Sequence, residues 1–167
     1  MGDLLFFSVG PRRGMRRAVG ASAWYERGCA LEAGSPTEAM GAYRRAIAGQ
    51  PDLADAQNNL GRLHHDQGAL AAAESCYRLA VCGNPMVALY WFNLGVVVED
   101  LGRAAEAIEA YECALGLDQT FADAHYNLAR ILEVVGRRAN DDLAIRRAIR
   151  HLSQYKSLVR TSATRRR

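Results

Sequence analysis

Residues 88–121 read A-L-Y-W-F-N-L-G-V-V-V-E-D-L-G-R-A-A-E-A-I-E-A-Y-E-C-A-L-G-L-D-Q-T-F. Apolar side chains recur at steps of three and four on both sides of Gly102, the period of two amphipathic helices joined by a short turn. Small residues (Gly95, Ala107, Ala114) stand where the helices must approach, and bulky ones (Trp91, Leu94, Tyr111, Leu115) where they must interlock. The arrangement recurs 34 residues earlier and 34 residues later, so the stretch is one unit of an array.

Working outward, unit two (54–87) repeats it with Leu60-Gly61, Gly68, Ala73, Tyr77, Ala80 and Pro85. Unit one (21–53) has Trp24, Gly28 and a turn at Gly34, and Pro51 closes it. Its Ser35-Pro36-Thr37-Glu38 predicts a helix start with Ser at N-cap, Pro at N1 and Glu completing a capping box. Unit three (88–121) has Gln119 where the closing proline would stand. Unit four (122–160) keeps Leu128-Ala129 and Gly136 in register, then slips. R-R-A-N-D-D precedes its second helix, so Ala148, Leu152 and Tyr155 arrive about seven residues late, an irregularity fitting a terminal unit with a polar outer face.

The period and the W-x-x-L-G … A-x-x-x-F … P pattern, carried here by Trp91, Leu94-Gly95, Ala107 and Tyr111, resemble the tetratricopeptide repeat (TPR). The resemblance covers about 135 residues. It implies an all-α, right-handed solenoid of about eight antiparallel helices spanning 21–160. Residues 1–20 fall outside the pattern and read as a disordered basic leader, or as residues ahead of a true start at Met15, or as a basic arm or remnant of a fused domain. Residues 161–167 read as a frayed basic tail.

Charge is uneven. The ends are basic, whereas residues 21–136 set seven arginines against fifteen acids. Twenty of the 21 basic residues are arginine, which points to a GC-rich, bacterial genome rather than to a function. The four cysteines form no C-x-x-C pair and read as small buried residues in a reducing compartment. No apolar run reaches the ~20 residues that span a bilayer, and the first ten residues lack a signal peptide's basic start, so a cytoplasmic protein without membrane attachment is expected.

In such an array the first helix of each unit lines a concave groove, and unit positions 2, 5, 6, 9, 12 and 13 share that face. Position 6 gives Asn59, Asn93 and Asn127. An amide carries donors and an acceptor together and can hold an extended peptide by its backbone. The row resembles the asparagine ladder in the TPR superhelix of O-GlcNAc transferase; tethering of adjacent helices is the structural alternative. Position 5 gives Tyr25, Asn58, Phe92 and Tyr126, which either shape side-chain pockets or pack between first helices. Arg62 and Arg130 at position 9 favour an acidic partner, and His65 lies beside Asp66 on an acidic edge. A clamp for a chaperone's C-terminal carboxylate would need lysines and arginines among asparagines, but the matching slots hold Tyr25, Cys29, Leu89 and Asn93, with only Asn59 fitting.

Catalytic chemistry has little to stand on. His64 and His125 fall in packing slots, His65 has no ligand partner at helical spacing, and no G-x-S-x-G, phosphate loop or H-E-x-x-H occurs. The sequence therefore predicts a non-enzymatic module without cofactor or metal that binds a protein or peptide in its groove. The second-ranked reading is a regulatory or nucleic-acid-associated module acting through the basic C-terminal helix, as in the TPR regions of some bacterial helix-turn-helix regulators.

Overall fold

The structure, a computed structural model, describes residues 20–165; of the leader expected at 1–20 all but Gly20 lies outside the described residues. Eight α-helices make up the described residues: α1 (Ala21–Leu31), α2 (Pro36–Gly49), α3 (Ala54–Asp66), α4 (Leu70–Gly83), α5 (Ala88–Asp100), α6 (Ala104–Leu117), α7 (Ala122–Ala139) and α8 (Asp142–Arg165). They stack as four antiparallel pairs, and each pair's second helix packs on the next pair's first, α2 on α3, α4 on α5 and α6 on α7. The expected all-α solenoid is what forms.

Close approach within a pair depends on one glycine against one tyrosine. A Cβ at Gly28, Gly61 or Gly95 would stand 2.5, 2.9 or 2.7 Å from the ring of Tyr43, Tyr77 or Tyr111. The three rings are almost wholly buried and fill the space the glycines leave. Gly68 and Gly102 have left-handed backbones (φ 73° and 79°) and turn the polypeptide between paired helices.

Three local expectations change. Ser35 sits at the N-cap with Pro36 at N1, but its side chain makes no cap bond, so the capping box does not close; the Ser35 carbonyl accepts from Ala39 N–H at 3.0 Å instead. Gly136 lies inside α7 rather than in a turn, pressed on Ala144 and Ile145, and Asn140 takes the left-handed position (φ 52°). Asp141 then accepts from the N–H groups of Leu143 and Ala144 at 2.9 and 3.1 Å, which starts α8. The inserted residues thus lengthen α7 and cap α8, and α8 continues through Arg165, past the point where a frayed tail was expected. Where proline is missing after α6, the Asp118 carboxylate accepts from the N–H and hydroxyl of Thr120 at 2.8 and 2.7 Å and fixes the turn.

The buried residues form two clusters. One centres on α2 and α3, with Tyr43, Leu60 and Leu63, and reaches Cys76 of α4; the other begins at Ala54 of α3 and runs through α4 to α8 around Tyr77, Tyr111 and Leu128. Of the cysteines only Cys76 is buried; Cys29, Cys82 and Cys113 are exposed, contrary to the expectation that all four are interior.

Candidate functional site

The first helices bring the position-6 asparagines to successive junctions, where each amide meets the preceding unit. Asn59 Nδ2 donates to the Tyr43 hydroxyl at 3.3 Å, and Asn127 Nδ2 donates to the Tyr111 hydroxyl at 3.4 Å. Those hydroxyls donate onward to Glu32 at 2.5 Å and to Glu99 at 2.9 Å. Arg62 pairs with Glu32, and Arg130 with Glu99 at 2.5 Å. Junctions one–two and three–four are therefore closed by the same relay of Glu, Tyr, Asn and Arg. Burial first, and then in Tyr111 the bonded Glu99, push the Tyr43 and Tyr111 hydroxyls far above the ordinary tyrosine value, so both remain protonated donors.

The middle junction is built differently. Position 12 there is His65 and position 9 of the next unit is Val96, so neither the carboxylate nor the cation of the relay is present. Asn93 Nδ2 turns to Asn58 Oδ1 at 2.8 Å, and Asn58 in turn donates to Asn59 at 3.2 Å. His65 Nε2 lies 2.7 Å from Asp100 of the next unit, a partner 35 residues away that helical spacing does not reveal. On the opposite side Arg103 grips Glu74 at 2.5 Å and holds its carboxyl below the ordinary value, while Arg78 reaches Glu106 at 2.9 Å. Tyr90 also donates to Asp55 across the same junction.

These geometries sort the residues expected to bind. Asn58 is 5% exposed and acts as a bracket between Asn59 and Asn93; it does not line a pocket, because its amide is spent inside the junction. Asn59 is nearly saturated, with Tyr43, Asn58 and a long contact to Cys29. Asn93 and Asn127 each spend one N–H on a structural partner. Tyr25 tilts on Tyr43 at 5.9 Å, and burial together with Cys29 raises its hydroxyl to about 12. Phe92 is flanked by Tyr111 at 5.8 Å and Phe121 at 4.7 Å. Tyr126, 45% exposed, lies 5.2 Å from Tyr155 and is the open member of the series.

His125 occupies its packing slot, but with an unforeseen neighbour. Its Nε2 lies 3.1 Å from the Gln119 carbonyl, which can only accept, so that nitrogen carries the proton. Its Nδ1, 2.9 Å from His151 Nδ1, then accepts from His151. Burial, reinforced by His125 and Arg147, holds His151 down to about 4. No group of three or more His, Cys, Asp or Glu side chains is gathered as a metal site among the described residues, and no helix among them is long and apolar enough to cross a membrane.

Known proteins carry the same plan. Tetratricopeptide-repeat family models match residues 29–85 and 100–134. The crystal structure of MamA superposes with a TM-score of 0.76 at 20% identity, covering 86% of this chain and 81% of that one. MamA (41-end) from Desulfovibrio magneticus RS-1 gives 0.70 at 20% identity, covering 84% and 76%. The first TPR of Spaghetti (RPAP3), bound to the HSP90 peptide SRMEEVD, gives 0.67 at 24% identity, covering 70% and 93%. At these identities the likeness is one of fold. No curated protein matches the sequence significantly.

Proposed function

The chain belongs to the tetratricopeptide repeat family, and from that premise we propose that it is a non-enzymatic protein-interaction module that holds a segment of a partner along the face of α1, α3, α5 and α7. The observation that carries this reading is the run of half-buried amides at Asn59, Asn93 and Asn127, flanked by apolar side chains open to solvent such as Leu89 and Tyr126, both 45% exposed. A primary amide offers two donors and one acceptor. Asn93 and Asn127 keep a second N–H and the carbonyl oxygen after closing their junctions, enough to pair with the carbonyl and N–H groups of a peptide backbone. Asn59 has less to give and serves chiefly to aim Tyr43. Arg62 and Arg130 are bound to Glu32 and Glu99, and each guanidinium has further N–H donors to turn toward an acidic side chain. Tyr25 and Phe92 form the walls between rungs, Tyr126 the open end, and His65 with Asp100 the rim. That RPAP3's first TPR holds a peptide supports the use of this fold for peptide capture.

A pull-down from the source lysate tests this, wild type beside Asn59→Ala/Asn93→Ala/Asn127→Ala, after circular dichroism has shown the variant folded. Loss of the captured proteins by a folded variant is the expected result. Unchanged capture would assign the row a purely structural role.

A further inference from the structure

We propose that the groove between α7 and α8 seats an amphipathic helix of a partner protein whose apolar stripe is flanked by acidic residues. The array itself shows what such a groove receives. At the preceding unit Arg130 of α7 reaches Glu99, Asn127 reaches Tyr111, and Phe121 packs on Phe92 at 4.7 Å. The first helix of the next unit thus closes the groove of the one before. Moving 34 residues along, Phe92, Gly95 and Glu99 become Tyr126, Ala129 and Glu133, and Tyr126 tilts against Tyr155 as Phe92 does against Tyr111. No fifth first helix follows within residues 20–165, and a cavity of ≈ 380 Å³ lies there, floored by Ile145, Ile149 and Leu152. Ile149 is 64% exposed, whereas a helix that only caps an array carries polar residues at such positions.

The rim sets the occupant's charge. Glu133, in the slot of Glu32 and Glu99, is already paired with Arg137 of its own helix at 2.6 Å and asks for no cation from outside. Arg130 and Arg137 line the cavity beside it, residues 137–161 hold seven cations against two acids, and Arg146, Arg150 and Lys156 are exposed on the adjoining α8. A helix with glutamates beside its apolar stripe complements this edge; a basic one is repelled. A second copy suits the seat poorly. Its α1 would bring Glu26 and Arg27 where α7 brings Asn127 and Leu128, placing a guanidinium on an apolar floor, and pairing α8 with α8 opposes like charges. A nucleic acid would use the cations and leave the isoleucines exposed.

The inference rests on reading the protein as an interaction module, and deepens it by naming the chemistry of the segment at the C-terminal end. The probe is a synthetic helical peptide with the apolar spacing of Ala124, Leu128, Ile131, Leu132 and Val135 and glutamates at its other positions, compared by fluorescence anisotropy with the same peptide bearing lysines. At physiological ionic strength the glutamate probe is expected to bind about tenfold tighter than the lysine probe. Ile149→Asp, with Ile149→Asn as a second variant in case the first misfolds, should weaken it by about tenfold, and Arg146→Glu/Arg150→Glu by about fivefold. Leu79→Ser, on α4 outside both the amide row and this groove, should leave it unchanged, and the amide row is read separately by the pull-down. Equal binding of both probes, or indifference to the Ile149 variants, overturns the proposal. So does loss of single-stranded DNA binding in the arginine variant alone, or a concentration-dependent dimer in sedimentation that Ile149→Asp abolishes, since these assign the surface to nucleic acid or to a second copy.

Discussion

Junctions one–two and three–four of this array share one design, and junction two–three departs from it. In the first pair a buried tyrosine hydroxyl is satisfied from both sides, by a glutamate of its own unit and an asparagine of the next, and an arginine neutralises the glutamate. In the middle, Tyr77 is buried with no such partners among the described residues, and the units are tied instead by His65–Asp100, Asn58–Asn93 and the Arg103–Glu74 pair. The change in the buried clusters falls in the same unit, with Leu60 and Leu63 in one and Tyr77 and Ala80 in the other. The difference teaches that one position can have two duties. Position-6 asparagine bolts a tyrosine–glutamate pair where one waits for it, and ties to the amide of Asn58 where that pair is missing.

The largest effect expected from breaking the contrast is at Gly95. Gly95→Ala drives a Cβ into the Tyr111 ring, shifting the hydroxyl away from Glu99 and Asn127, at about 2–3 kcal/mol and roughly 5–10 °C in melting temperature. Gly61→Ala crowds Tyr77 similarly but undoes no relay, so its melting curve should move less. Next, Tyr111→Phe should cost about 1–2 kcal/mol, because Glu99 and Asn127 both lose a partner, whereas Tyr77→Phe should cost under about 0.5 kcal/mol; denaturant titration reads both.

The third effect separates the terminal unit from all three junctions. His151 has an ordinary value of 6.5 and a folded value of about 4, so between them the unfolded protein binds a proton that the folded unit refuses. Stability is full above the ordinary value and falls as pH drops toward the folded one, by about 1 kcal/mol at pH 5 relative to pH 7.5 once solvent contact is allowed for. Melting curves at the two pH values should show this slope in wild type and a smaller one in His151→Asn, where His64, also lowered by burial, still contributes. The smallest effect sharpens the contrast by erasing it. His65→Glu with Val96→Arg writes the missing carboxylate and cation into the middle junction but removes the His65–Asp100 tie, so stability should stay within about 0.5 kcal/mol of wild type in the same titration.

Much of this was legible before the structure. The 34-residue period, the Gly61 and Gly95 slots and the opposing tyrosines determine the helix pairs, because only a residue without a side chain tolerates a ring that close. The relay, too, leaves a trace: Glu32 and Glu99 at position 12, each followed by an arginine (Arg62, Arg130) at position 9 of the next unit, stand against His65 and Val96 at the middle junction. What the pattern could not give were contacts whose partners depend on how helices are inclined, between units for His65 with Asp100 and Asn58 with Asn93, and within the last unit for His125 with His151. The extension of α7 through Gly136 was hidden because a glycine in register reads as a turn whether or not the helix stops there.

The claim that a partner lies along the first helices is tested most directly by placing a photo-crosslinking residue at Leu89, on α5, and separately at Leu79, on α4. The two are comparably open, at 45% and 52% exposure, and differ in the face they occupy. Irradiation with the captured partner should give a crosslink from position 89 and none from 79. A crosslink from position 79 alone, or equal yields from both, would contradict the reading.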